Sequence, residues 1–199
     1  MSSLRLSMLF AALIALPLRA QDTPTPEQQR RNALREQHQG DFDYLLGEWR
    51  YTAQSAEWGA YSGFWSAQRL AGGGILDEFR VTSDTGETWH VSNTLRTYNP
   101  YTDRWELVGV DGENGLKNIG SGRREGAEIH LEQTFSGNSP TPDIWRIRYY
   151  DIRPDRFSWS ADRSTDGGRT WTSNWLRIEA RRIGPPRTEL VMAPFRRTR

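Results

Sequence analysis

Three histidines and two acid pairs are the groups in this chain that could do chemistry. His38 precedes the patterned region, while His90 and His130 each lie inside a run of alternating polar and apolar residues. None stands in an HExxH or other two-histidine spacing that holds zinc, and His130-Leu131-Glu132 lacks the cysteine partners of a zinc deaminase. His90 shares a strand face with Ser92, Thr94 and Arg96, because side chains two apart point the same way. That polar stripe is either a solvated outer face or one wall of a pocket. Asp41/Asp43 and Asp77/Glu78 have the chemistry of general acids and bases, but nothing in the sequence fixes their separation. An enzyme reading would use Glu78 or His90 as base and Arg96 to hold an anion. The chain has no cysteine nucleophile and no G-x-S-x-G elbow. Gly72-Gly73-Gly74 precedes a strand rather than a helix N-terminus, so it reads as a turn and not a phosphate cradle.

Two segments share an S/T-x-D-x-G-x-T-W pattern, Thr82 to Trp89 and Ser164 to Trp171. The pattern resembles the Asp-box of sialidase-type propellers. Its mechanics are local: Asp84 or Asp166 accepts turn N–H groups, glycine takes a positive φ, and the tryptophan packs under the hairpin. A propeller needs at least four four-stranded blades, so the well-made hairpin is the preferred reading.

The elements that must position these groups are strands. In Leu45 to Thr52, Leu45, Gly47, Trp49 and Tyr51 fall on one face and Leu46, Glu48, Arg50 and Thr52 on the other, the period of a half-buried strand. Ten strand-like runs are expected, near 43–54, 60–70, 75–83, 88–98, 103–111, 116–124, 127–136, 143–153, 156–163 and 170–181, separated by Gly-, Pro-, Asn- and Asp-rich turns. The turns are too short for crossover helices, so neighbours pair antiparallel. Closure leaves no open edge, and no run carries the defences of an exposed one. Trp145, Ile147 and Tyr149 oppose Ile144, Arg146, Arg148 and Tyr150. Aromatic residues on both faces suit a barrel with a cavity more than a solid core.

At 199 residues the chain has room for one domain with appendages. Residues 1–20 read as a secretory signal: Arg5, an apolar run from Leu6 to Leu16, and a weak cleavage site at Leu18-Arg19-Ala20, with an uncleaved anchor as the alternative. The protein is therefore expected to be secreted or periplasmic. Residues 21–40 are a polar linker or short helix, with Thr25 as N-cap, Pro26 at N1 and Gln28 at N3, ending near His38. Residues 41–182 form the barrel, and residues 183–199 a basic tail that begins with the strand-breaking Gly184-Pro185-Pro186. A solvated tail is preferred to a docked apolar segment or a membrane contact. Cleavage after Ala20 removes Arg5 and Arg19, leaving 24 basic against 25 acidic residues, so charge offers no argument for nucleic acid. The basic set is 25 arginines and one lysine, an imbalance that codon bias accounts for.

Taken together, Asp41 to Trp49, Leu95 to Pro100 with Trp105, Ser164 to Trp171 and Asn174-Trp175 resemble an uncharacterised bacterial family with a lipocalin-like barrel. Gly47-x-Trp49 is also similar to the G-x-W of lipocalins, in which the Trp closes the barrel base against an Arg of the last strand. The resemblance implies Arg177 or Arg181 for that role. It carries no activity and no catalytic residues. Nitrobindin-like haem barrels are also ten-stranded, but their haem ligand is a histidine near the C-terminus, and no histidine follows His130. No cofactor and no metal is expected.

The resulting expectation is an all-β, lipocalin-like, antiparallel up-and-down barrel of about ten strands with a short N-terminal helix. It binds a small hydrophobic or aromatic molecule. Trp49, Trp65, Trp105, Trp145, Trp159 and Trp175 are candidates for walls or closure, and Glu78, His90, Arg96 and Asn174 for polar groups that orient the ligand. The competing classes are a hydrolase or isomerase acting inside the barrel, and a filled barrel serving structure or interaction.

Overall fold

The structure, a computed structural model, describes residues 23–83, 85–136 and 140–185. The signal expected at residues 1–20, Asp84 of the first turn motif and the tail beyond Pro185 lie outside the described residues.

The chain folds as one closed antiparallel barrel of ten strands: β1 (Gly47–Ser55), β2 (Gly59–Arg69), β3 (Ile75–Thr82), β4 (Thr88–Asn99), β5 (Arg104–Asp111), β6 (Gly115–Glu125), β7 (Glu128–Phe135), β8 (Asp143–Tyr150), β9 (Arg156–Ser164) and β10 (Thr172–Gly184). Each strand pairs with the next, and β1 pairs with both β2 and β10, so no edge remains open. Alternation places Gly47, Trp49, Tyr51, Ala53 and Ser55 of β1 inside. On β8 Trp145, Ile147 and Tyr149 turn inward, while Arg146 and Arg148 stack outside over Trp171 and Tyr150.

One helix, α1 (Pro26–His38), precedes the barrel. Its start is a capping box: the Gln28 N–H donates to Thr25 Oγ1 at 3.2 Å and the Thr25 N–H to Gln28 Oε1 at 2.7 Å. No residue of the helix is fully buried. It touches the barrel base where His38 stacks on Tyr98 at 5.3 Å and Arg31 lies over Tyr101 at 4.6 Å.

The first expected run began too early. Asp43–Leu45 is a short 3₁₀ helix, and the chain from Asp41 to Leu46 plugs one end of the barrel. Phe42 and Leu45, three residues apart, are both fully buried, which suits a single helical turn and not an extended chain. Asp41 holds the plug in place. Its carboxylate accepts Arg124 Nε at 2.8 Å and Trp105 Nε1 at 3.3 Å, and its carbonyl accepts Arg124 Nη2 at 2.6 Å. Trp49 donates its indole N–H back to the Leu45 carbonyl at 2.7 Å.

The arginine that closes the base is Arg182, in place of Arg177 or Arg181. Its guanidinium lies 4.1 Å over the Trp49 ring, and its N–H groups donate to the carbonyls of Tyr44, Leu46 and Pro154 at 2.6–2.7 Å. Arg177 and Arg181 are exposed, whereas Leu176, Ile178, Ala180 and Arg182 share the inner parity. Gly47, at φ 119°, leaves its space to Arg182, whose Nη1 a Cβ there would strike.

The Ser164–Trp171 turn has the local geometry its pattern implies. Asp166 Oδ1 accepts the N–H groups of Arg169 and Thr170 at 3.0 and 2.9 Å, and Gly167 and Gly168 have φ of 75° and 89°. Trp171 donates to the Gly168 carbonyl at 2.9 Å. In the other turn Gly86 has φ 86° and Ser83 Oγ accepts the Glu87 N–H at 2.9 Å, but Trp89 stands 61% exposed instead of packing beneath the hairpin. Hydrogen bonds from the Thr170 backbone, the Thr170 hydroxyl and Ser164 hold the Asp166 carboxyl well below the usual carboxylate range. A folded value below the unfolded one, ~3.9, means that the charged carboxylate stabilises the fold at neutral pH. That contribution is lost as pH falls through the folded value. Asp166→Ala is expected to melt earlier than wild type at neutral pH, with the gap narrowing steadily as pH drops below ~4. Melting curves across acid pH check this, and a gap independent of pH would contradict it.

Candidate functional site

The inward residues divide the barrel into two halves. Near the plug the interior is solid: Phe42, Trp49, Trp105 and Phe157 are fully buried, and edge contacts join Phe42 to Trp105 at 5.0 Å and Trp49 to Phe157 at 4.9 Å. Toward the other end the inner side chains shorten to Ser92, Thr94, Asn118 and Gln133, and a cavity of about 810 Å³ opens.

An ion pair lies at the boundary. Arg96 Nε donates to Asp77 Oδ2 at 2.6 Å, with both side chains almost wholly buried. Trp65 Nε1 donates to the other Asp77 oxygen at 3.0 Å, and Arg96 Nη1 to the Tyr149 hydroxyl at 3.1 Å. The guanidinium also lies 5.1 Å over the Phe42 ring of the plug. Burial works against the Arg96 charge, but the Asp77 carboxylate and the Tyr149 hydroxyl outweigh it and raise its pKa above the usual arginine value. Burial pushes the Tyr149 hydroxyl up, against the pull of Arg96. Arg96, Asp77, Trp65 and Tyr149 all border the cavity, and Arg96 Nη2 has no hydrogen bond among the described residues.

The walls are aromatic. Trp145 stacks on Phe135 at 4.1 Å and meets Trp175 edge-on at 4.6 Å, while its own indole N–H is buried without a partner among the described residues. At the mouth Arg163 bridges the carboxylates of Asp143 and Glu57, each at 2.6 Å, and lies 4.7 Å over Trp175. Across the mouth Lys117 Nζ lies 2.9 Å from His90 Nε2.

Of the residues the sequence suggested, Trp65, His90, Arg96, Trp145, Trp159 and Trp175 line this cavity. His90, Ser92, Thr94 and Arg96 form its wall and not a solvated face. Four others lie elsewhere. Trp49 and Trp105 point inward but belong to the filled base. Glu78 turns outward between the inward Asp77 and Phe79, and its carboxylate accepts Arg80 Nη2 at 2.5 Å, so it cannot act as a base beside Arg96. Asn174 sits on a bulge of β10 with φ 49°, exposed, its N–H donated to Asp162 at 2.7 Å. Sequence reasoning passed over Asp77 as Arg96's partner, and Lys117. Asp77 shares the inner parity of Ile75 and Phe79, and Lys117 is the single lysine among 25 arginines.

No protein-family model and no curated protein matches the chain. Among solved structures, the crystal structure of Rv2717c from M. tuberculosis is similar in fold, with a TM-score of 0.53, 17% identity, and coverage of 81% of this chain and 99% of that one.

Proposed function

We propose that the barrel binds one small aromatic or hydrophobic molecule that carries an anionic or hydrogen-bond-accepting group. The cavity supports this reading: about 810 Å³ falls within the usual ~300–1,000 Å³ of small-molecule sites. Its tryptophan and phenylalanine walls offer flat apolar surface, and the Arg96 guanidinium at its floor keeps N–H groups for an acceptor. A barrel serving structure alone would fill this space with side chains. The reading includes a lipocalin-like ancestry, on the motifs at Gly47-x-Trp49 and Asn174-Trp175, and export, on the apolar run at Leu6 to Leu16. Cell fractionation tests export.

Six tryptophans border the cavity, so an occupant is expected to quench intrinsic fluorescence. Titration with a panel of aromatic carboxylates, fatty acids and tetrapyrroles is expected to give saturable one-to-one quenching by flat aromatic acids. Their neutral esters should bind at least about tenfold more weakly, the usual ~1.5–3 kcal/mol of a hydrogen bond to a charged group. Equal binding of acid and ester would remove Arg96 from the reading.

A further inference from the structure

We propose that Lys117, with His90 beside it, is a reactive amine that captures aldehydes entering the cavity as a reversible imine. The proposal rests on the reading of the cavity as a small-molecule site.

Four observations carry it. First, Lys117 lines the cavity mouth on β6 at a β-bulge: Gly109 pairs with Asn118 and Val110 with Leu116, so Lys117 faces no partner of its own. The bulge re-aims its side chain from the outer parity of Ile119 to the inside.

Second, the other cavity-facing cations are ion-paired. Arg96 pairs with Asp77, and Arg163 with Glu57 and Asp143, whereas Lys117 makes no ion pair among the described residues. Asp111, an acid of the same cavity lining, spends Oδ1 on the N–H groups of Glu113 and Asn114 at 3.0 and 2.6 Å, and the Asn114 side chain also reaches it.

Third, the nearest polar group to the amine is a histidine nitrogen at 2.9 Å. Two cations repel at that distance, so a proton on either group disfavours one on the other. Burial lowers the Lys117 pKa, against Asp111 and Glu113. Burial lowers His90 too, followed by Lys117 itself, against Asp111 and Glu113. An ordinary lysine, pKa ~10.4, keeps roughly one amine in 2,500 neutral at pH 7, so any lowering multiplies the nucleophilic fraction. Fourth, in a chain of 25 arginines and no other lysine, this one site carries the only primary-amine side chain, the group that can condense with a carbonyl to an imine.

In the step itself the neutral amine nitrogen attacks the carbonyl carbon, and the C=O π pair moves to oxygen. The nitrogen gives up its two protons in turn, the first to His90 Nε2, and the carbinolamine oxygen takes two and leaves as water. The C=N bond forms, and amine plus aldehyde equals imine plus water with no change of oxidation state. Aromatic aldehydes fit best, since the carbonyl would sit at Lys117 while the ring lies against Trp145 and Phe135.

The test treats the full chain at neutral pH with 2-naphthaldehyde and cyanoborohydride, which reduces imines to stable amines, and maps the adducts by mass spectrometry. The chain amine and Lys117 are the only candidates, so assignment is unambiguous. Lys117 is expected to label on the order of 100-fold faster in the folded protein than in urea-unfolded protein. Lys117→Arg is expected to lose the adduct, and His90→Gln to slow it by at least about tenfold. Label confined to the chain amine, or equal Lys117 rates folded and unfolded, would overturn the proposal. An unchanged rate in His90→Gln would overturn the role of His90. In parallel, fluorescence quenching by 2-naphthylmethanol, which cannot form an imine, reports whether the cavity binds naphthyl groups at all. Saturable quenching without a Lys117 adduct refutes the amine chemistry alone. Absence of quenching counts against the cavity reading, whatever the labelling shows.

Discussion

Replacing Trp49 with alanine is expected to lower stability by about 3–5 kcal/mol, the usual cost of deleting a buried tryptophan. The residue is fully buried, donates to the Leu45 carbonyl, meets Phe157 edge-on and carries Arg182 on its ring. Its loss therefore loosens the plug as well as opening a hole, because Trp49 bonds to Leu45 and carries Arg182, whose N–H groups hold the carbonyls of Tyr44 and Leu46. Against a total of ~5–15 kcal/mol for a typical domain, much of the folded population should disappear on modest heating. Thermal melting of the variant measures this. A shift of only a degree or two would mean that the base does not depend on Trp49. Because Trp49 does not border the cavity, affinity measured below the melting transition should stay close to wild type.

The second large effect belongs to the buried ion pair. Asp77→Asn keeps an acceptor for Trp65 Nε1 but leaves the Arg96 charge uncompensated. Breaking such a pair on one side typically costs about 3–5 kcal/mol. Neutralising both sides, Asp77→Asn with Arg96→Met, removes the stranded charge and is expected to recover most of that loss, since a buried pair replaced as a unit often costs little. Denaturant unfolding of the two single variants and the double variant closes the cycle. Additive losses would contradict the coupling that the 2.6 Å contact implies. The double variant is also expected to lose selectivity for acids over esters while still binding the aromatic ring.

The ten strands were legible because most of each run alternates and Gly, Asn, Asp or Pro marks the turns. Parity grouped His90, Ser92, Thr94 and Arg96 on one face of β4 and Trp145, Ile147 and Tyr149 on one face of β8, but left open which face of the β4 stripe is inside. Parity would also have found Arg182 from Ile178 and Ala180, and would have turned Glu78 outward. What it could not find lies at irregular backbone. The bulge at Asn174 turns a residue of inner parity to solvent, and the bulge at Lys117 turns one of outer parity inside. The 3₁₀ plug at Asp43–Leu45 has no run of its own from which a period can be read. Whether the interior is full or hollow depends on how far each inward residue lies from the plug, a sum over all ten strands that no local pattern contains.

The measurement that bears most directly on the central claim is calorimetric titration with 2-naphthoate of wild type and of Thr94→Trp. Thr94 lies on the cavity wall between Ser92 and Arg96, so a tryptophan there occupies the space above the guanidinium without touching the plug. Binding by wild type with one-to-one stoichiometry, lost in Thr94→Trp although the variant melts near the wild-type temperature, is the predicted result. Equal binding by both proteins, or heat from neither while the fold is intact, would contradict a ligand site inside the barrel.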